Sequence, residues 1–322
     1  MIIPEVLAPA GNLEKLKVAV DYGANAVYLG GLKFGLRSAA DNFTYEELRE
    51  GVEYAHAKDA LVYVVLNGFL HDQDLEELKE FVEYLDALKV DAVIVSDLGV
   101  IKTVQRYSSI DVHLSTQASC LNSYSAKLWK NMGVTRIVLG REVGIEEARN
   151  IKENVDIEIE MFIHGSMCMA YSGNCVISNF TQGRDSNRGG CAHSCRFEYS
   201  IQTNNKQDKK KSYFMSSKDL NGLSVLENFI HAGIDSVKIE GRMKSHLYTA
   251  TMSKVYRQAL DYYREHGNFL SEQMYEWEQE LAKVTHRSYA PANLIDKADS
   301  TTIYNEREFN SQDQYVIAGN VV

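Results

Sequence analysis

The chain has 322 residues and carries 34 Lys and Arg against 44 Asp and Glu, a formal net charge of −10. That balance excludes a protein that holds nucleic acid by a global basic field, so any RNA contact needs a local patch. With 45% hydrophobic residues, 24% charged residues and three prolines, no stretch has the composition of disorder or low complexity, and the length suits one large α/β core with an appendage.

The start MIIPEVLAPAG has neither a basic nor an apolar leader region, and no uncharged apolar run approaches the roughly 18 residues of a membrane span. A cytoplasmic protein with no membrane attachment is expected. From the first residue to about 160, short β-branched or apolar runs alternate with amphipathic segments. EVLAPA, AVYLGG, LVYVVLN, AVIVSD, DVHLSTQ, RIVLGRE and IEIEMFIHG are the strands; NLEKLKVAVDYG, TYEELREGVEYAHAK, DQDLEELKEFVEYLDALK, DLGVIKTVQRYS, NSYSAKLWKNMG and GIEEARNIKEN are the helices between them. Seven βα units therefore precede a cysteine-rich loop, the pattern of a parallel sheet.

After the cysteines, FEYSIQTNNKQDKKKSYFM predicts a hairpin with NNKQDKKK at its tip. MSS and SSKDL follow, then a helix through GLSVLENFIHAG, the strand SVKIEG and a long helix from about Leu247 to Glu265. Counting both MSS and SVKIEG gives nine strand candidates for the eight places of a TIM-barrel-like (βα)8 fold, so one is misassigned or lies outside the barrel. The barrel with its cysteine-rich loop and hairpin (164–215) fills 1–270. Residues 271–322 read as a helical extension, EQMYEWEQELAKVTHRSY, and the beginning of a truncated C-terminal β domain, ending in the apolar strand YVIAGNVV.

A barrel is preferred over an open doubly wound sheet because AVYLGGLKFG makes no GxGxxG fingerprint and because polar residues gather where the strands end. These are Asn12, Asn67, Asp97, Gln117, Arg141, Glu142, His164, Lys218, Asp219, Glu240 and Arg242. Asn12 and Asp97 serve equally well as helix N-caps.

Four of the five cysteines, Cys168, Cys175, Cys191 and Cys195, fall within 28 residues with spacing C-x6-C-x15-C-x3-C. The spacing is neither that of a zinc ribbon nor of a ferredoxin, so it names no metal, but four thiols in a reducing compartment favour an iron–sulfur cluster or zinc over disulfides. CAHSC opens like a radical-SAM motif, yet the further cysteine that motif needs is replaced by Glu198, which rejects it. A peptidase alternative takes Cys168 as nucleophile and His164 as its base; neither HExxH nor GxSxG is present. Cys120 is expected to be a core or strand-end thiol.

EMFIHGSMCMAYSGNCVIS resembles the signature of the collagenase-like peptidases of unknown catalytic type. The resemblance extends through LAPAGN, AVYLGG, VSDLG, HLSTQAS, RIVLGRE, SKDL and KIEGRMKS, about residues 5 to 290. THRSYAPANL is similar to the entry into a C-terminal β domain in longer members, although APA departs from the usual run there. Within the family, the pattern is most similar to tRNA uridine hydroxylases, and the resemblance implies prephenate-dependent 5-hydroxylation of the wobble uridine. Relatives hydroxylate an rRNA cytidine or serve oxygen-independent ubiquinone hydroxylation. It also implies a [4Fe–4S] cluster on Cys168, Cys175, Cys191 and Cys195, a site that recombinant protein can hold empty or filled by zinc, and a possible paralogous partner subunit beside the tRNA and prephenate. The alternatives are the peptidase of the historical label and a non-catalytic RNA-binding scaffold.

A dianion such as prephenate needs cations on the barrel face, and Arg141, Lys218, Lys238, Arg242 and Lys244 are the candidates. Arg141 and Arg242 have as their alternative a buried pairing with Glu142 or Glu240, and Lys238 has Glu240 as a possible partner. His164, Arg141, Glu240 and Arg242 are assigned catalytic roles. Asn67, Gln117, Lys218, Asp219, Lys238 and Lys244 are assigned to substrate binding. Glu158 and Glu160 alternate along one strand, and at least one is expected to face the barrel interior beside a cation. Lys209, Lys210 and Lys211, flanked by Tyr199 and Tyr213, form the one dense basic run and a candidate RNA phosphate contact.

Overall fold

The computed structural model describes residues 2–36, 41–202 and 209–304. Eight parallel strands close into a barrel: β1 (Glu5–Pro9), β2 (Ala26–Leu29), β3 (Leu61–Leu66), β4 (Ala92–Val95), β5 (Asp111–Leu114), β6 (Arg136–Val138), β7 (Glu158–Ser166) and, after the hairpin and β10 described below, β11 (Ser236–Ile239). β11 completes the circle by pairing with both β7 and β1. The register runs through β-branched residues, Val27 opposite Val62, Val64 opposite Val93 and Val93 opposite Val112. Such residues suit a pleat buried on both faces, and each fully buried Val or Leu contributes about 1.5–3 kcal/mol.

The helices follow the strands as the periodicity requires. Thr44 and Glu47 make a reciprocal capping box for the helix Tyr45–His56. Asn12 caps Leu13–Asp21 through Lys15 N at 2.9 Å, and Asp97 caps Leu98–Tyr107 through Gly99 N and Val100 N. These two strand-exit residues are therefore helix caps. DQDLEELKEFVEYLDALK divides into Asp72–Leu75 and Leu78–Ala87. The long helix His246–His266 buries Tyr248, Met252, Val255, Tyr256, Ala259 and Leu260. No helix among the described residues is long and apolar enough to cross a membrane.

The surplus strand is settled by pairing. SVKIEG is the eighth barrel strand, while MSS is not a strand; the segment after it forms β10 (Asp219–Asn221), which lies antiparallel against the end of β7 and outside the barrel. β12 (Tyr289–Ala290) pairs in parallel with β10. The hairpin consists of β8 (Tyr199–Gln202) and β9 (Lys209–Ser212). This corrects the placement of Lys209, Lys210 and Lys211, which belong to a strand and not to the turn; residues 203–208, the rest of the expected tip, lie outside the described residues. The extension is helical only over Ser271–Leu281, so HRSY runs as chain and strand. The expected final strand, within 305–322, also lies outside the described residues.

Candidate active site: a cysteine-lined cavity at the barrel mouth

A cavity of about 420 Å³ opens at the C-terminal ends of the strands, the face on which barrel enzymes place their chemistry. All four clustered cysteines border it, together with Asn67, Gln117, Arg141, Lys238, Glu240, Arg242 and Lys244. Residues as far apart in the chain as Asn67 and Lys244 are thus brought to one site.

The cysteine loop is held by local hydrogen bonds, each supplied by a residue type the loop needs. Asn187 grips Cys175 on both sides, its Oδ1 accepting from Cys175 N at 3.3 Å and its Nδ2 donating to Cys175 O at 3.0 Å. Ser178 Oγ accepts from Ala192 N at 3.0 Å, and Thr181 Oγ1 donates to Ser194 Oγ at 2.7 Å, tying the short helix Ile177–Gln182 to the turn that carries Cys195. Gly190 is required sterically, because a Cβ there would stand 2.6 Å from Asp185 O. Arg188 docks the loop onto the β3 exit through Asp74 at 2.7 Å and Phe69 O at 2.6 Å. Buried Arg196 donates to Met167 O at 2.6 Å, Ser216 Oγ at 3.2 Å and Ser217 O.

None of the four thiols is in a disulfide. Cys168 is accessible from the cavity, yet the protein around it pushes its thiol above the ordinary value, with Cys175 and Cys191 adding to the shift and Arg141 opposing it. Burial likewise raises Cys195, against the pull of Arg196. The thiols thus share one electrostatic environment. Among the described residues no three His, Cys, Asp or Glu close in on a single-ion geometry, so the sulfurs line a wall. This all-sulfur donor set fits a thiophilic metal or an iron–sulfur cluster.

The cations differ in how they are held. Arg141 lies 3.7 Å over the Phe162 ring and makes no ion pair among the described residues; Glu142 instead accepts from Ser172 N at 2.9 Å. Lys238 is buried and donates to Glu160 Oε1 at 2.8 Å, so its partner is Glu160 and not Glu240. Glu160 is the interior carboxylate of its strand, whereas Glu158 is exposed and pairs with Arg136. Arg242 donates to Asn42 Oδ1 and packs against Gly30, where a Cβ would stand 2.5 Å from its Nη2. Burial lowers the Lys244 ammonium below its usual value, with Asp219 opposing.

Three of the expected site residues stand elsewhere. His164 is fully buried behind the cavity, its Nδ1 3.0 Å from Tyr256 Oη and its ring among Tyr248, Tyr256 and Tyr289. Burial holds its pKa down at about 3, with Lys244 and His286 adding to the shift against Asp219. His164 makes no hydrogen bond to Cys168, which removes the base that the peptidase pairing requires. Asp219 is buried on β10, accepting from Arg287 N at 3.0 Å and Arg287 Nη1 at 3.3 Å. Lys218 does not border the cavity; its backbone N–H donates to Ile303 O at 2.7 Å.

Lys211 Nζ lies 3.9 Å from Glu198. Cys120 is a core thiol raised by burial to about 11. Thr116, Asn187, Arg188 and Arg196 are site-building residues that sequence reasoning passed over. Arg196 follows the cysteine run directly and Thr116 precedes Gln117, adjacency that could have drawn attention to both.

The fold and site define a (βα)8-barrel protein whose mouth is walled by four thiols and floored by cations. The model of peptidase family U32 matches residues 11–304, and the chain belongs to that family. It is 47% identical over 315 residues to tRNA hydroxylation protein P1 of Bacillus subtilis (strain 168), covering 95% of this chain and 73% of the relative. It is 31% identical over 301 residues to a collagenase of Porphyromonas gingivalis (strain ATCC BAA-308 / W83), covering 88% of this chain and 72% of the relative. The solved structure of a U32 peptidase superposes with a TM-score of 0.51 at 15% identity, over 75% of this chain and 94% of that one, a likeness of fold.

Proposed function

We propose that the protein is an RNA-modifying enzyme that hydroxylates tRNA, acting at carbon 5 of the wobble uridine with prephenate as co-substrate. The observation that carries this reading is the meeting of the four thiols with Arg141, Lys238, Arg242 and Lys244 around one cavity, in a chain 47% identical to a protein named for tRNA hydroxylation. A peptidase needs a nucleophile and its base, and the His164 ring is turned to Tyr256 instead of Cys168.

In this reading Cys168, Cys175, Cys191 and Cys195 hold a [4Fe–4S] cluster. A cluster so held supplies one-electron chemistry beside the cavity. The remaining steps belong to the chain. Arg141 and Arg242 offer planar guanidinium groups to carboxylates, and Lys238, fixed by Glu160, presents a single ammonium on the floor. Exposed Tyr171 and Phe180, on the cysteine loop, offer faces on which unpaired bases stack. Lys211 of β9, whose Nζ lies 3.9 Å from Glu198, is the lysine of the basic run that could meet phosphate.

Mass analysis of tRNA nucleosides from a strain lacking the gene tests the reading. Loss of 5-hydroxyuridine-derived nucleosides, restored by the gene in trans, is the expected result. An unchanged profile together with peptide cleavage that disappears in Cys168→Ala alone would transfer the assignment to proteolysis.

A further inference from the structure

Two arginines on the border of the cysteine-walled cavity, Arg141 and Arg196, make no ion pair with a carboxylate among the described residues. Arg196 follows Cys195 directly and is buried. Its Nη2 donates to Met167 O, the carbonyl just before Cys168, at 2.6 Å, while its Nη1 donates to Ser216 Oγ at 3.2 Å and to Ser217 O. All three acceptors are neutral. The carboxylate of Asp219 is taken up by Arg287, whose Nη1 lies 3.3 Å away. Arg141 rests its guanidinium 3.7 Å over the Phe162 ring, again a partner without net charge.

Hydrogen bonds to neutral oxygens satisfy the N–H groups of a buried guanidinium but leave its charge, and arginine cannot shed the proton. A buried cation is costly unless an anion compensates it. The groups placed to do so are the thiols. After burial, which raises both, the charged groups acting on Cys168 are Arg141, Cys175 and Cys191, and those acting on Cys195 are Arg196 and the other three clustered cysteines.

We infer that Arg196 and Arg141 are the counter-charges of the anionic centre formed on the four thiolates, and that they raise its reduction potential. The inference rests on the cluster reading above and deepens it. Four thiolates outweigh the charge of a [4Fe–4S]2+ core, and one electron taken from a one-electron donor adds a further negative charge with no bond made or broken. A fixed cation nearby lowers the cost of that added charge through its field and needs no contact with the irons. Arg196 is the more deeply buried of the two and therefore the less screened, so its effect is the larger.

The test reconstitutes the full chain with iron and sulfide under anaerobic conditions and follows the brown absorption through a potentiometric titration without substrate. At the wild-type midpoint, Arg196→Gln is expected to show a reduced-to-oxidised ratio about tenfold lower, a shift of about 59 mV to more negative potential for one electron. Arg141→Gln should move the same way by less. Arg188→Gln is the control for a loosened loop, because that arginine docks the loop onto Asp74 at 2.7 Å and does not border the cavity. It should titrate at the wild-type potential. Should Arg196→Gln assemble no cluster, Arg141→Gln decides the matter by the same measurement. Wild-type potentials in both cavity variants, or an equal shift in Arg188→Gln, overturn the counter-charges and leave the cluster reading standing. A wild type that assembles no cluster overturns both.

Discussion

Lys238 Nζ donates to Glu160 Oε1 at 2.8 Å on the barrel floor, with both side chains shut away from solvent. Arg136 approaches the same carboxylate at 3.7 Å and pairs with Glu5 below it. Removing one member of a buried pair leaves the other charge uncompensated, which costs about 3–5 kcal/mol. Glu160→Leu is therefore expected to lower the urea midpoint sharply. The double variant Glu160→Leu with Lys238→Met should recover part of that loss, short of the whole because Arg136 also loses a partner.

Gly11 and Gly30 both face Arg242, but they meet different parts of it. A Cβ at position 11 would stand 2.0 Å from Arg242 O, a backbone atom; one at position 30 would stand 2.5 Å from Nη2, the far end of a flexible side chain. Gly11→Ala is expected to destabilise the fold by about 3 kcal/mol, since the backbone cannot step aside. Gly30→Ala should cost about 1 kcal/mol while displacing the guanidinium. The measurable distinction is that Gly30→Ala leaves the melting temperature nearly unchanged and, on the proposed function, weakens the binding of prephenate in calorimetry.

His164 governs part of the acid limb of stability. Its folded pKa is depressed to about 3 by burial, against an ordinary value of 6.5. Below about pH 6.5 the unfolded chain takes up a proton that the folded chain refuses until about pH 3, so stability falls with falling pH over that window, by about 1.4 kcal/mol per unit from this group. Urea titrations between pH 4 and 7 should show a shallower slope in His164→Gln than in the wild type. The imidazole NMR shifts of His164 should stay constant from pH 5 to 8, and the pH profile of activity should lack a limb from this residue.

Much of the architecture was legible because the barrel strands are continuous β-branched runs and the helices carry their own caps. The alternation of Glu158 and Glu160 foretold one interior carboxylate, and the four clustered thiols do border one cavity. His164 shows what was not legible. Strict alternation from Glu160 and Phe162 aims it into the mouth, but the register shifts where Ile239 pairs with His164, and the ring turns outward to Tyr256 on the long helix. A one-residue slip of this kind depends on the neighbouring strand and leaves no mark in the local sequence. The three-residue β10 was hidden for the same reason: its antiparallel place is set by the end of β7.

The four cysteines give the sharpest division between the readings. A cluster distributes its bonds over all of its ligands, so Cys168→Ser, Cys175→Ser, Cys191→Ser and Cys195→Ser are each expected to lower iron and sulfide in anaerobically purified protein, with the brown absorption lost or weakened in every case. Cys120→Ser is the internal control, because that thiol sits in the core, raised to about 11, and borders no part of the cavity. It should keep its iron. A nucleophilic mechanism predicts the opposite pattern, in which only Cys168 matters and its three neighbours are dispensable. Colourless wild-type protein carrying stoichiometric zinc would refute the cluster while leaving the thiol site itself intact, since the same sulfur donors suit both. The comparison across five single substitutions therefore separates cluster, zinc and nucleophile without recourse to a substrate.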